Sequence, residues 1–167
     1  MMATLIRILG IDPGLQHTGW GIIESDGHRI KYIASGVCHS KAEHPMPDRL
    51  LAIQTLLSEA ITRHQPVEAA MEETFVNKNA MSSLKLGHAR GALMLTVALA
   101  GLPLAEYAAT VVKKTVTGKG RAEKEQVQGM LQYVLPGTKI TNPDEADALA
   151  VALCHAYHLP VRKLRAL

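Results

Sequence analysis

Asp12 follows the apolar run Leu5, Ile6, Ile8, Leu9 and Ile11 and immediately precedes Pro13-Gly14. A short β-branched run stopped by a turn pair predicts a buried strand. Asp12 is therefore expected at the C-terminal tip of that strand, the edge of an open α/β sheet where ligands bind. An acid in that place also serves a local purpose, bonding the backbone of the turn it opens. Two further acidic stretches change its meaning. Glu72 and Glu73 close the run Val67–Met71, and alternation along a strand sends their side chains to opposite faces, so only one of them faces Asp12. The residues alone leave open which one. The third stretch is Asn142-Pro143-Asp144-Glu145-Ala146-Asp147. Asn142 suits a helix N-cap, Pro143 the first helical position, and Glu145 has capping-box spacing. Asp144 and Asp147 are three apart and project from one helix face, where the positive helix end eases their mutual repulsion.

Carboxylates from three separate segments converge only if a cation neutralises them. Oxygen donors without cysteine suit magnesium or manganese. Two such ions about 3.5–4 Å apart activate water and steady a leaving oxygen in phosphodiester cleavage. A basic run supplies the complement. Lys113, Lys114, Lys119, Arg121 and Lys124 fall within twelve residues, interleaved with Gly118 and Gly120. Lysines and exposed backbone N–H groups are what phosphate oxygens require, although runs of this kind are also common on solvated loops.

The elements that must carry these residues are legible in order. Strands are expected over Leu5–Asp12, Thr18–Ser25 and Ile30–His39, the last two joined through the hairpin signal Asp26-Gly27. Leu50, Leu51, Ile53, Leu56, Leu57, Ala60 and Ile61 make Pro47–Arg63 an amphipathic helix, ended by Gln65-Pro66. A strand over Val67–Glu72, a helix over Ser82–Ala100 and a strand over Leu102–Tyr107 follow. Three helices complete the chain: Ala109–Val116, Ala122–Leu135 and Asn142–Tyr157. The order β-β-β-α-β-α-β-α-α-α predicts one α/β domain over residues 1–160, with a short basic tail over 161–167. Ser82–Ala100 is apolar nearly all round in its second half, and Gly87, Gly91 and Ala92 open it to close backbone approach. Such a helix is expected to meet a partner subunit, the alternative being a central core helix with no dimer role.

Composition limits the alternatives. The 167 residues are 47% hydrophobic but only 4% aromatic, with a net charge of +3. That is one domain's core built from aliphatic side chains, mildly basic, permitting phosphate binding without demanding it. Few aromatics leave little for base stacking and single out Phe75, the only phenylalanine. Cys38 and Cys154 lie far apart, match no zinc pattern and read as free buried thiols. No signal-peptide pattern opens the chain, and the apolar stretch Gly91–Leu104, carrying Pro103, is too short to span a bilayer. A cytoplasmic protein without a membrane partner is expected.

With those pieces in place, the sequence resembles the RuvC-type Holliday-junction resolvases over nearly its whole length. The resemblance runs from Ile8–Gly14 and Thr18-Gly19-Trp20-Gly21 to Asp147-Ala148-Leu149-Ala150. Its most specific parts are Glu72–Phe75 with Asn77-Lys78-Asn79, Leu84-Lys85-Leu86-Gly87 with Ala89-Arg90-Gly91, and Val112-Lys113 through Gly118, Gly120 and Lys124. It implies an α/β ribonuclease-H-like fold with a five-stranded mixed sheet flanked by helices. It also implies a homodimer that nicks four-way DNA junctions symmetrically in recombination and repair, beside a branch-migration motor. Asp12, Glu72, Asp144 and Asp147 become the implied carboxylate tetrad, holding magnesium (or manganese), two ions per subunit. Lys113 and Lys124 become DNA-facing cations near the scissile phosphate, and Phe75 a ring near the junction's bases. Lys78, Lys114, Lys119 and Arg121 join the implied DNA-binding set. Glu73 is a departure, a second acid where relatives often carry a neutral residue. Ile11-Asp12-Pro13-Gly14 with a following hairpin also resembles the phosphate loop of actin-like and sugar-kinase-type ATPases, but those need two such lobes. A catalytically silent junction-binding scaffold is the remaining alternative, disfavoured because all four implied acids are present.

Overall fold

A computed structural model of the chain describes residues 4–74 and 78–159. Its first strand, β1 (Ile6–Asp12), is the middle of the molecule: Ile8, Leu9 and Ile11 have no exposed surface. Alternation sends their side chains into two different cores. Ile8 joins Ile23 and Ala70 on one face, whereas Leu9 and Ile11 join Ile22, Ala69 and Met71 on the other. A strand buried on both faces reads as a continuous apolar run, as this one does.

The strands β2 (His17–Ser25), β3 (Ile30–His39), β4 (Glu68–Glu72) and β5 (Leu104–Tyr107) complete a mixed sheet in the order β3-β2-β1-β4-β5. β1–β2 and β2–β3 are antiparallel, and β1–β4 and β4–β5 are parallel. The Asp26 carboxylate accepts the N–H groups of His28 and Arg29, and Gly27 takes φ 89°. That is the turn expected of Asp26-Gly27.

Two helices cover the Leu9 face: α1 (Met46–His64) and α2 (Ala80–Leu99). Pro47 lies in the first turn of α1, and Gln65 ends it with a left-handed φ of 50°. Asn79 caps α2 by accepting the Ser82 N–H, which starts the helix two residues ahead of Ser82. The Ile8 face is covered by α3 (Ala109–Thr117), α4 (Lys124–Val134) and α5 (Pro143–His158). All ten expected elements are present in order. Their ends move by a residue or two, and at α2 the Asn79 cap sets the start.

α5 lies directly on the sheet, and glycines permit it. A Cβ on Gly10 would stand 2.0 Å from the Ala148 carbonyl oxygen, and one on Gly19 would stand 2.0 Å from that of Asp144. The helix is buried almost all round from Ala148 to Ala156.

The capping box at Asn142 does not form: Asn142 accepts the Asp144 N–H, but Glu145 turns inward to other partners. The reciprocal box forms instead at α4, between Glu123 and Gln126. Gly87 and Gly91 make no close approach within the chain, since a Cβ at either would meet nothing within 4 Å. Cys38 and Cys154 are free and buried, as expected. Among the described residues, no helix is long and apolar enough to cross a membrane.

Candidate active site

Parallel pairing of β1 with β4 brings the C-terminal tips of both strands to one sheet edge. Asp12 ends β1 and Glu72 ends β4, with Tyr107 of β5 paired beside Glu72. The N-terminus of α5 reaches the same edge because Gly19, the register partner of Asp12, lies under Asp144. Carboxylate oxygens of Asp12, Asp144 and Asp147 all come within 4.8 Å of one another. Glu72 stands outside that triplet but lines the same cavity as Asp12 and Asp147.

That cavity, about 240 Å³, is lined by Asp12, Glu72, Lys113, Lys124 and Asp147, with Ala109, Val112, Val127 and Ala150 forming its apolar wall. Lys113 arrives on α3 and Lys124 at the first position of α4. The Lys124 ammonium donates to Asp147 Oδ2 at 3.3 Å, from a side chain that is largely exposed. Lys114, Lys119, Arg121 and Lys78 are exposed and lie outside the cavity lining. Phe75 falls outside the described residues. Glu73 is exposed, and its N–H donates to the Tyr107 carbonyl.

The electrostatics of this corner call for a cation. Burial, followed by the charges of Asp147, Glu72 and Asp144, pushes the Asp12 carboxyl up to about 8, with Lys124 opposing. Burial and Asp147 raise Glu72 as well, while Lys113, Lys124 and Arg90 pull it back. Asp147 in turn raises Lys124. Oxygen donors this close, repelling one another and partly desolvated, fit a hard divalent cation.

A pH dependence follows. Asp12 binds its proton more tightly folded than unfolded, so its contribution to stability is full below about pH 3.8 and is lost as pH rises towards about 8. Glu72 acts in the same direction. In chelator, the melting temperature of the wild type is expected to fall between pH 6 and pH 8 relative to Asp12→Asn. Magnesium is expected to raise the wild-type melting temperature more at pH 8 than at pH 6. Thermal melts of both proteins in EDTA and in magnesium check this, and equal magnesium shifts at the two pH values would contradict it.

Sequence reasoning missed several residues that shape the site. Arg90 on α2 donates to the Glu72 carbonyl at 2.6 Å and to Thr74 Oγ1 at 3.2 Å, and it pairs with Glu106. It thereby fixes the strand tip that carries Glu72. In the sequence it stood out only within Ala89-Arg90-Gly91, a segment that carries the resemblance, with nothing to link it to Glu72. Thr18 Oγ1 donates to the Gly14 carbonyl at 2.6 Å, closing the turn after Asp12. Gly10 read only as a break in an apolar run and Gly19 only as part of the resemblance, because what they make room for, Ala148 and Asp144, lies near the other end of the chain.

The architecture is the ribonuclease-H-like α/β fold, with acids from two parallel strand tips and a helix start gathered at one sheet edge. The family model described as "Crossover junction endodeoxyribonuclease RuvC" matches residues 8–155. A relative of that name from Afipia carboxidovorans is 49% identical over 100% of both chains, and one from Gluconobacter oxydans is 52% identical over 92% of each. The solved structure of T. thermophilus RuvC in complex with a Holliday junction substrate superposes with a TM-score of 0.85 at 32% identity. It covers 92% of this chain and 94% of that one. The chain belongs to the RuvC family of crossover junction endodeoxyribonucleases, and is a DNA-cutting enzyme of that class.

Proposed function

We propose that this protein resolves four-way DNA junctions by metal-dependent nicking of two strands, and that Asp12, Glu72, Asp144 and Asp147 hold the metal. The convergence of three carboxylates within 4.8 Å, with Asp12 and Asp147 of that triplet lining a cavity that also presents Glu72, Lys113 and Lys124, is the observation that carries this reading. The donors suit magnesium, with manganese an acceptable substitute, and the reading takes two ions per subunit. When bound, such ions lower the pKa of an attacking water and stabilise charge on the phosphate. The protein's own groups orient that chemistry. Asp12 is held by β1, Asp144 and Asp147 by the capped first turns of α5, and Glu72 by a strand tip tied to Arg90. Lys78, Lys114, Lys119 and Arg121 meet the phosphate backbone away from the cut, and Phe75 meets unpaired bases. The working unit occupies residues 1–160 in the cytoplasm, with 161–167 as a tail and a branch-migration motor as companion. Incubation with a synthetic four-way junction and with a linear duplex of the same sequence, with and without magnesium, tests the reading. Cleavage of the junction alone, and only with metal, is expected. Equal cutting of the linear duplex would contradict it.

Lys113 and Lys124 are expected to act on catalysis beyond their share of binding. Replacement of either by alanine removes about one phosphate contact and flattens the salt dependence of affinity accordingly. A lysine that also stabilises charge in the transition state costs about 10²–10³-fold in turnover when removed. At least one of the two is expected to show the larger loss. Junction affinity and single-turnover cleavage measured on both variants decide it, and parallel small losses in both quantities would assign the pair to binding alone.

Two equivalent strands require two sites, which a two-fold dimer provides. The exposed stripe Leu84, Gly91, Leu95 and Leu99 on α2 is the candidate interface, with Leu95 60% and Leu99 75% exposed in the single chain. A side chain at Gly91 has open space within one chain. Gly91→Leu is therefore expected to leave the fold intact and push sedimentation from dimer towards monomer. A wild type that sediments as a monomer at micromolar concentration would contradict the dimer.

A further inference from the structure

Glu145 lies between Asp144 and Asp147 in the chain, yet it does not line the cavity of Asp12, Glu72 and Asp147. It is 7% exposed, and each of its carboxylate oxygens accepts from a hydroxyl: Oε2 from Ser35 at 2.8 Å and Oε1 from Thr141 at 3.0 Å. Ser35 is on β3 and also meets the Tyr32 hydroxyl at 3.1 Å. Among the described residues, no basic side chain pairs with Glu145. A buried carboxylate without a cation is a poor way to stabilise a core, since an apolar side chain of similar size fills the space without desolvating a charge. What the carboxylate adds is direction. Its two oxygens tie the first turn of α5 to an edge strand on one side and to the preceding loop on the other. Asn142 caps that same turn from below through the Asp144 N–H.

We propose that Glu145 is a positioning residue for the metal centre: the Ser35–Glu145–Thr141 strut sets the rotation of the first turn of α5, and so the approach of Asp144 and Asp147 to Asp12. A helix rotates as a unit over its first turn. A residue between two ligands, anchored on the opposite face, therefore fixes where both point. Residues that orient metal ligands from behind typically change metal affinity about 10–100-fold when removed. The proposal rests on the metal-centre reading above.

The test compares Glu145→Met, Glu145→Gln and Ser35→Ala with the wild type and with Asp12→Asn. Manganese affinity is measured by calorimetry on DNA-free protein, alongside melting temperature in chelator and junction affinity. In Glu145→Met, manganese affinity is expected to fall by about ten-fold or more, with junction affinity within about two-fold of wild type. Glu145→Gln keeps the shape and hydrogen-bonding reach without the charge, and it is expected to recover most of the lost affinity. Ser35→Ala cuts one leg of the strut, is expected to show an intermediate loss, and carries the test if Glu145→Met fails to fold. Wild-type manganese affinity in Glu145→Met and Ser35→Ala would reduce the strut to packing and overturn the proposal. Glu145→Gln as weak as Glu145→Met would replace positioning by long-range charge and also overturn it. Unchanged manganese affinity in Asp12→Asn would overturn the metal-centre reading itself, a failure distinguishable from the other two.

Discussion

Asp12→Asn, Glu72→Gln, Asp144→Asn and Asp147→Asn are each expected to abolish junction cleavage while leaving junction binding intact or slightly tighter. The four acids gather at one sheet edge, Asp12, Glu72 and Asp147 lining one cavity, and burial followed by the neighbouring acids' charges raises the Asp12 and Glu72 carboxyls. Neutralising any of them removes negative charge from the path of a polyanion, which eases approach. It also removes an oxygen donor that a hard cation requires. Cleavage is expected to drop by about 10²–10³-fold or more, the scale on which single transition-state electrostatic partners are felt. Asp12→Asn is expected to be the most severe of the four, because Asp12 is the strand-borne member of the closest triplet. Its melting temperature at pH 8 in chelator is expected to rise, since the repulsion it suffers there is relieved. Cleavage and gel-shift titrations on the same four proteins check the pattern, and a variant cutting at near wild-type rate would remove its residue from the site.

Gly19→Ala and Gly10→Ala are expected to be the most damaging single-methyl changes in the protein. The new Cβ would overlap backbone in both cases: Asp144 C and O for Gly19, Ala148 O and Ala152 N for Gly10. Backbone cannot rotate aside as a side-chain tip does, so α5 must lift from the sheet. Overpacking of this kind costs about 1–3 kcal/mol, occasionally more. At about 2–4 °C per kcal/mol for a chain of this size, the melting temperature is expected to fall by about 6–12 °C at the upper end of that cost. The two differ in function. Gly10→Ala acts under the middle of α5, whereas Gly19→Ala moves Asp144 itself, so cleavage is expected to be lost even well below its melting temperature. Gly129→Ala serves as the control, because a Cβ there meets nothing within 4 Å. The position is helical, and alanine there is expected to be neutral or stabilising by up to about 1 kcal/mol. Melting curves for the three variants decide the matter, and Gly19→Ala melting like the control would contradict the close seating of α5.

The elements and their order were legible because each carries a local signature: the apolar run of β1, Asp26-Gly27 between β2 and β3, Asn142-Pro143 at the start of α5. The three acidic segments were legible for the same reason, since each lies where a strand or helix ends. What lay beyond reach was anything decided by distant chain. Alternation left Glu72 and Glu73 equivalent until β4 paired with β1 in a definite register. Glu145 had the spacing of a capping box, and a hydroxyl 110 residues away on β3 outcompeted the local backbone for its carboxylate. Gly19 carried no mark that it opposes Asp144, and Arg90 none that it reaches Glu72. Local chemistry fixes which elements form, and the pairing of remote elements fixes which side chains meet.

Crystals of the protein soaked in manganese, with anomalous diffraction collected at the metal edge, bear most directly on whether these carboxylates hold the metal. A peak coordinated by oxygens of Asp12 and of Asp144 or Asp147, with Glu72 at or beside it, is the expected result, together with its disappearance in Asp12→Asn. Manganese bound elsewhere on the protein while this cluster stays empty at millimolar metal would contradict it.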